Sequence, residues 1–174
     1  MIVITGVSGG IGKKIAVELS NYDSVIGIYS SNKVFFERRS ISTIKLNLND
    51  EQSIIEFVKN SHLTRITVIH LATVSINGLI ANYSRSNWDH TIDVNITGNY
   101  LITKHLLPIM INEKWGRIIH FSSVVAQKGE RGAIAYGMSK SAISGFSSGL
   151  SQEYGRFNIT SNVLSLGYME TGLI

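Results

Sequence analysis

Six short runs rich in β-branched and other apolar residues punctuate this chain: "MIVIT", "SVIGIYS", "STIKLNL", "RITVIHLA", "GRIIHFSS" and "NITSNVLSL". Between them the apolar residues recur at helical spacing. Strands that are apolar almost throughout are buried on both faces, and intervening helices supply the coverage. The pattern predicts an α/β chain, a doubly wound parallel sheet in one domain over residues 1–174. In the first helix, "GIGKKIAVELS", Ile11, Ile15, Ala16 and Leu19 share one face. In the second, "DEQSIIEFVKN", the inward residues are expected to be Ile54, Ile55 and Val58. A continuous helical region is expected over about 87–112, with Pro108 near its end, and a further helix carries Tyr136.

Composition narrows the function. Hydrophobic residues at 44% and charged residues at 16% describe a folded chain. There is no cysteine, hence no disulfide framework and no thiolate metal site. The net charge of +4 is scattered, with only "KK" and "RR" as short pairs, so no nucleic-acid partner is expected. Apolar stretches such as "LLPIMI" are too short to cross a bilayer, and no membrane partner is expected. A chain that opens directly on a strand leaves no room for a signal peptide, which points to a cytoplasmic location. His70 invites a metal role. Without convergent His, Asp or Glu spacing it reads instead as a packed strand-end histidine, and no metal is expected.

Between the first strand and the first helix lies "TGVSGGIG", Thr5 to Gly12. Glycines there permit positive φ and close backbone approach, and the following helix presents free amides to an anion. Gly6, Gly10 and Gly12 are the informative positions, and the context is that of a pyrophosphate cradle. The spacing is neither G-x-G-x-x-G nor a P-loop.

Further along, "YGMSK" sets Tyr136 one helical turn before Lys140, on one face. The pair alone is equally compatible with an ordinary surface helix. Taken in order, however, "TGVSGGIG", "DVNITG", "IIHFSSVVA", "YGMSK" and "GYMET" resemble the short-chain dehydrogenases/reductases in their compact, non-extended branch. Segments such as "FSSVVAQKG" and "NVLSLGYMET" look most like the 3-oxoacyl-acyl-carrier-protein reductase group.

That resemblance implies a Rossmann fold and an NAD(P)-dependent oxidoreductase. It makes Tyr136 the proton donor and Lys140 the cation that favours its phenolate and holds the nicotinamide ribose. Ser123 becomes the hydrogen-bond donor to the substrate carbonyl, and Asn95 the residue that positions a water in a proton relay. The cofactor set it implies is Gly6, Ser8, Gly10, Ile11 and Gly12, then Ser30, Asn47, Leu48 and Ala72, then Tyr136, Lys140, Gly167, Met169 and Thr171. After the second strand stand Tyr29, Ser30, Ser31, Asn32 and Lys33, with Arg38 and Arg39 further on and nothing acidic at the strand end. This favours NADP over NAD.

The expected substrate is a small molecule or an acyl group on a carrier. Small residues along the Tyr136 helix (Gly137, Ala142, Gly145, Gly149) fit a homo-oligomer, a dimer or tetramer. The sequence departs from the family pattern at "HLAT", where Thr73 replaces a glycine, and at Leu166, which replaces a proline. "VIHLA" suggests as an alternative a sugar or nucleotide-sugar reductase or epimerase. The resemblance implies a C-terminal lid and last strand after "METGLI"; the sequence reads either as part of a longer protein or as a short relative lacking them. The second case gives a non-catalytic dinucleotide-binding scaffold as a third reading.

Overall fold

A computed structural model describes residues 1–169. The six apolar runs form β1 (Ile2–Thr5), β2 (Val25–Tyr29), β3 (Ile41–Lys45), β4 (Thr67–His70), β5 (Gly116–Ser123) and β6 (Ile159–Leu166). All pair in parallel, in the order β3-β2-β1-β4-β5-β6. The strand order therefore reverses between β1 and β4, and a crevice opens there beyond the carboxyl ends of the strands.

Successive residues of each strand serve opposite faces. Val3, Ile28, Val68 and Ile118 pack on one face with Ile54 and Phe57 of α2 (Glu51–Asn60) and Ile102, Leu106 and Met110 of α4 (Gly98–Glu113). Ile4, Val25, Ile69 and Phe121 pack on the other with Ala16 of α1 (Gly10–Leu19). Helices on both faces make the sheet doubly wound, as the apolar strands predict. Among the described residues no helix is long and apolar enough to cross a membrane.

Two local expectations are corrected. On α2, Ile54 is buried and Val58 packs against the core, but Ile55 is 39% exposed and Phe57 points inward instead. Each helical step turns the side chain by about 100°, so 54, 57 and 58 share a face that 55 leaves. The expected single helix over 87–112 is two: α3 (Arg85–Ile92) and α4, joined by a π-helical turn at Asp93–Thr97. There the Gly98 amide bonds to the Asp93 carbonyl, five residues back. Pro108 lies inside α4, which continues to Glu113. The short α5 (Val125–Lys128) lies between β5 and α6 (Ile134–Tyr154), the helix that begins just before Tyr136.

Candidate active site

A cleft of about 1060 Å³ occupies the crevice at the strand ends. Its floor begins with the glycine turn. Gly6 has φ +70, and a Cβ on it would lie 2.6 Å from the Ala72 amide nitrogen, so only glycine lets β1 and β4 exits run this close. A Cβ on Gly12 would meet the Gly6 carbonyl oxygen at 2.5 Å, which seats α1 directly on the turn. Thr5 Oγ1 accepts the Leu71 and Ala72 amides, each at 3.2 Å, and locks the two strand ends together. Gly9 caps α1 without a side-chain bond, leaving the first-turn amides to the cleft. Gly6, Ser8, Gly10, Ile11 and Gly12 all line it, with Gly9.

The adenosine-side expectations gather at the next strand ends. Ser30, Ser31 and Asn32 line the cleft after β2, and Asn47 and Leu48 line it after β3. Two of the cations expected there, Arg38 and Lys33, are turned elsewhere. Arg38 bonds to Asn21 and Ser20 at the end of α1, and Lys33 lies over the Phe35 ring. After β4, Ala72 and Thr73 line the cleft.

Asn95 sits at the junction of α3 and α4. It is fully buried in the π turn and is absent from the cleft wall. Its Oδ1 accepts from the Thr73 hydroxyl at 3.0 Å and the Val74 amide at 2.8 Å. Its Nδ2 donates to the Val74 carbonyl and to Ser139 Oγ, both at 2.9 Å. Its own carbonyl accepts Asn99 Nδ2 at 2.9 Å. Side chain and carbonyl are thus engaged by protein, and Asn95 acts as a bracket between the β4 exit and α6. Thr73, the departure from glycine, supplies one arm of that bracket.

Ser123, Tyr136 and Lys140 do converge on the cleft. Ser123 stands at the end of β5, and its Oγ accepts the Val125 amide at 3.2 Å. The neighbouring Ser122 is buried and donates to the Lys140 carbonyl at 2.9 Å, which ties α6 to β5. Lys140 is buried, its Nζ donating to the Phe121 carbonyl at 2.9 Å and lying 5.7 Å from the Tyr136 ring centre. Burial lowers the Lys140 pKa to about 8. Burial raises the Tyr136 phenol, and the nearby Ser123 opposes that rise. With its nitrogen committed to Phe121, the lysine serves β5 first.

Gly167 and Met169 complete the wall after β6, with Tyr168 between them; Thr171 lies outside the described residues. Sequence reasoning missed the strand-locking Thr5, the Asn95 partner Ser139, and Glu130 and Tyr168 at the mouth. Only Ser139 carried a signal, one helical step inside "YGMSK".

The whole chain, residues 1–174, matches the family described as short chain dehydrogenase. The 3-oxoacyl-[acyl-carrier-protein] reductase FabG of Buchnera aphidicola subsp. Schizaphis graminum is 31% identical over 98% of this chain and 74% of its own length. The acetoacetyl-CoA reductase of Cupriavidus necator is 34% identical over 62% of this chain and 44% of its own. The solved structure of ElxO with NADP bound superposes with a TM-score of 0.84 at 26% identity, covering 95% of this chain and 72% of ElxO. The glycine cradle, with backbone where any Cβ would stand, fits a dinucleotide pyrophosphate, and the cleft has the volume for the rest. The chain belongs to the short-chain dehydrogenase family and is an oxidoreductase that uses a nicotinamide dinucleotide.

Proposed function

We propose that the protein uses NADPH to reduce the keto group of a 3-oxoacyl thioester to the 3-hydroxyacyl form. One observation carries the reading: Ser123 and Tyr136, from different elements, face the same cleft as the glycine cradle, with the Lys140 ammonium directly behind them. The bound dinucleotide supplies the hydride. Ser123 Oγ donates a hydrogen bond to the carbonyl oxygen as negative charge develops on it. Tyr136 gives that oxygen its proton, and its half-buried phenol needs a nearby positive charge to release it. Lys140, still mostly protonated at neutral pH with a pKa of about 8 and with its Nζ 5.7 Å from the Tyr136 ring centre, provides that charge. Asn95 acts through others: it fixes the β4 exit against α6 and so holds the wall on which the cofactor rests.

The preference for NADPH is supported by hydroxyl and amide groups after β2, at Ser30, Ser31 and Asn32, with no carboxylate among the described residues lining that end of the cleft. The thioester is supported by the names of the FabG and acetoacetyl-CoA reductase relatives. A homo-oligomer, dimer or tetramer, is supported by the outer side of α6, where Gly145 and Gly149 face open space.

A second reading has its own observation. The mouth carries Ser75, Asn77, His90 and Glu130, groups that would hydrogen-bond a hydroxylated substrate such as a sugar. Oxidation of NADPH by this chain, followed by absorbance with acetoacetyl-CoA or a keto-sugar as acceptor, tests both. Faster turnover of the thioester supports the proposal; turnover of the keto-sugar alone transfers it to the second reading.

A further inference from the structure

Behind the cleft lies a group of buried polar side chains that the reaction described above does not use. His70 ends β4 and is paired in register with His120 of β5. Side chains in register on parallel neighbours share a sheet face, and these two rings stack with centres 4.8 Å apart and planes 7° from parallel. His120 is wholly buried and His70 is 2% exposed. His70 Nε2 meets Thr103 Oγ1 of α4 at 3.1 Å. His70 Nδ1, both nitrogens of His120 and Asn99 Oδ1 have no hydrogen-bond partner among the described residues. Four unpaired polar atoms in one core are expensive to keep, and such groups call for an explanation.

Their neighbours supply one. α6 crosses β5 so that Phe146 packs edge-on against His120, while Lys140 bonds to Phe121 and Ser122, the next two residues of the same strand. On the other side, Asn99 clamps the carbonyl of Asn95 and also favours the charged form of His70, though no hydrogen bond joins the two. The pair thus lies between the anchor of Lys140 and the turn that carries Asn95.

We propose that His70 and His120 are positioning residues for the reaction, a stacked and uncharged floor that lets Lys140 hold its charge and its place on Phe121, and that protonation of this floor displaces Lys140. The proposal rests on the reading of Tyr136 and Lys140 given above. The charged group that α6 brings to this strand is Lys140, bonded to the Phe121 carbonyl beside His120. α4 brings only the neutral Asn99 and Thr103, and β1 brings Thr5 in register with His70. Among the described residues no carboxylate acts on either ring. A proton on the pair would therefore face the Lys140 ammonium with no anion between them. Desolvation, mutual repulsion and Lys140 all hold His70 well below its ordinary range, and desolvation with Lys140 brings His120 to about 4.

The test is nuclear magnetic resonance of the cofactor-free protein, following the histidine rings and the Lys140 side chain from neutral to acid pH. The expected result is a shift of the Lys140 Cε resonance that coincides with ring protonation and is absent in His120→Phe, which keeps a flat ring without a titrating group. His120→Gln, which also removes the titrating ring at this position, provides the same comparison should His120→Phe not fold. A Lys140 signal that stays flat through ring protonation overturns the proposal. So does ring protonation that occurs only with global loss of amide dispersion, which makes the pair mere core.

In parallel, the acid limb of kcat for NADPH-dependent reduction of acetoacetyl-CoA is expected about one pH unit lower in His120→Phe, with KM for NADPH unchanged. An unmoved limb counts against the proposal. If Tyr136→Phe reduces as fast as the parent chain, the reductase reading fails, and the resonance experiment still decides the role of the pair.

Discussion

Gly12→Ala separates the glycine cradle as a binding device from the glycine cradle as a packing device. A Cβ at this position stands 2.5 Å from the Gly6 carbonyl oxygen, whereas ordinary contact begins at 3.4 Å, so 3.4 − 2.5 = 0.9 Å must be found. The obstructing atoms, Gly6 O and Val7 Cα, are backbone, and no rotamer change relieves them. Either α1 withdraws from the turn by most of that distance or the Gly6 peptide rotates. Overpacking of this kind costs about 1–3 kcal/mol, and Ala in place of Gly within a helix returns about 1 kcal/mol. The net loss of stability is therefore about 0–2 kcal/mol, a shift of Tm by a few degrees in a chain of this size.

Cofactor affinity has no such compensation, because the first-turn amides of α1 move with the helix. At least about tenfold weaker binding of NADPH is expected, or roughly 1.4 kcal/mol. Gly149→Ala is the control, since a Cβ there meets nothing within 4 Å. It should raise stability by about 1 kcal/mol and leave binding alone. Urea denaturation and titration of reduced-nicotinamide fluorescence read the two quantities separately. A Gly12→Ala protein that binds NADPH as tightly as the parent chain would refute the reasoning.

Three further outcomes follow from the same geometry. The unfolded chain binds more protons than the folded one wherever a folded histidine pKa lies below the ordinary 6.5, so stability falls as pH falls through that window. For His120 the window runs from 6.5 down to about 4, worth about 3 kcal/mol at its acid end, and urea denaturation of His120→Phe should show a flatter acid limb than the parent chain. Asn95→Ala strips partners from the Val74 amide and carbonyl and from Ser139, and should destabilise by about 2–5 kcal/mol in chemical denaturation; a loss under 1 kcal/mol contradicts the bracket role. Thr73→Gly removes one arm of the bracket, and should cost about 1 kcal/mol while leaving NADPH affinity unchanged or improved in a fluorescence titration.

The sheet was legible because β1, β2 and β4 are buried and apolar on both faces, the pattern of a covered parallel sheet. The cradle was legible because Gly6, Gly10 and Gly12 stand between a first strand and a first helix. The π turn at Asp93–Thr97 was not, since one inserted residue changes hydrogen-bond phase without interrupting apolar spacing. Ile55 was misassigned because adjacent apolar residues on a helix compete for one face, and Phe57 had the better phase. The place of Asn95 depends on where the β4 exit passes, and Thr73 and Val74 carry no spacing that reveals it. The His70–His120 stack depends on strand register, which sequence order alone does not set. Tyr136 and Lys140 both line the cleft, but the first partner of Lys140 is the Phe121 carbonyl, a backbone atom invisible to any motif.

The most direct measurement compares the parent chain with Tyr136→Phe, each saturated with NADPH and given acetoacetyl-CoA. Equal NADPH affinity with turnover slowed by about 10²–10⁴-fold in the variant is the predicted result. Equal turnover in the two proteins, or no binding of NADPH by either, contradicts the account.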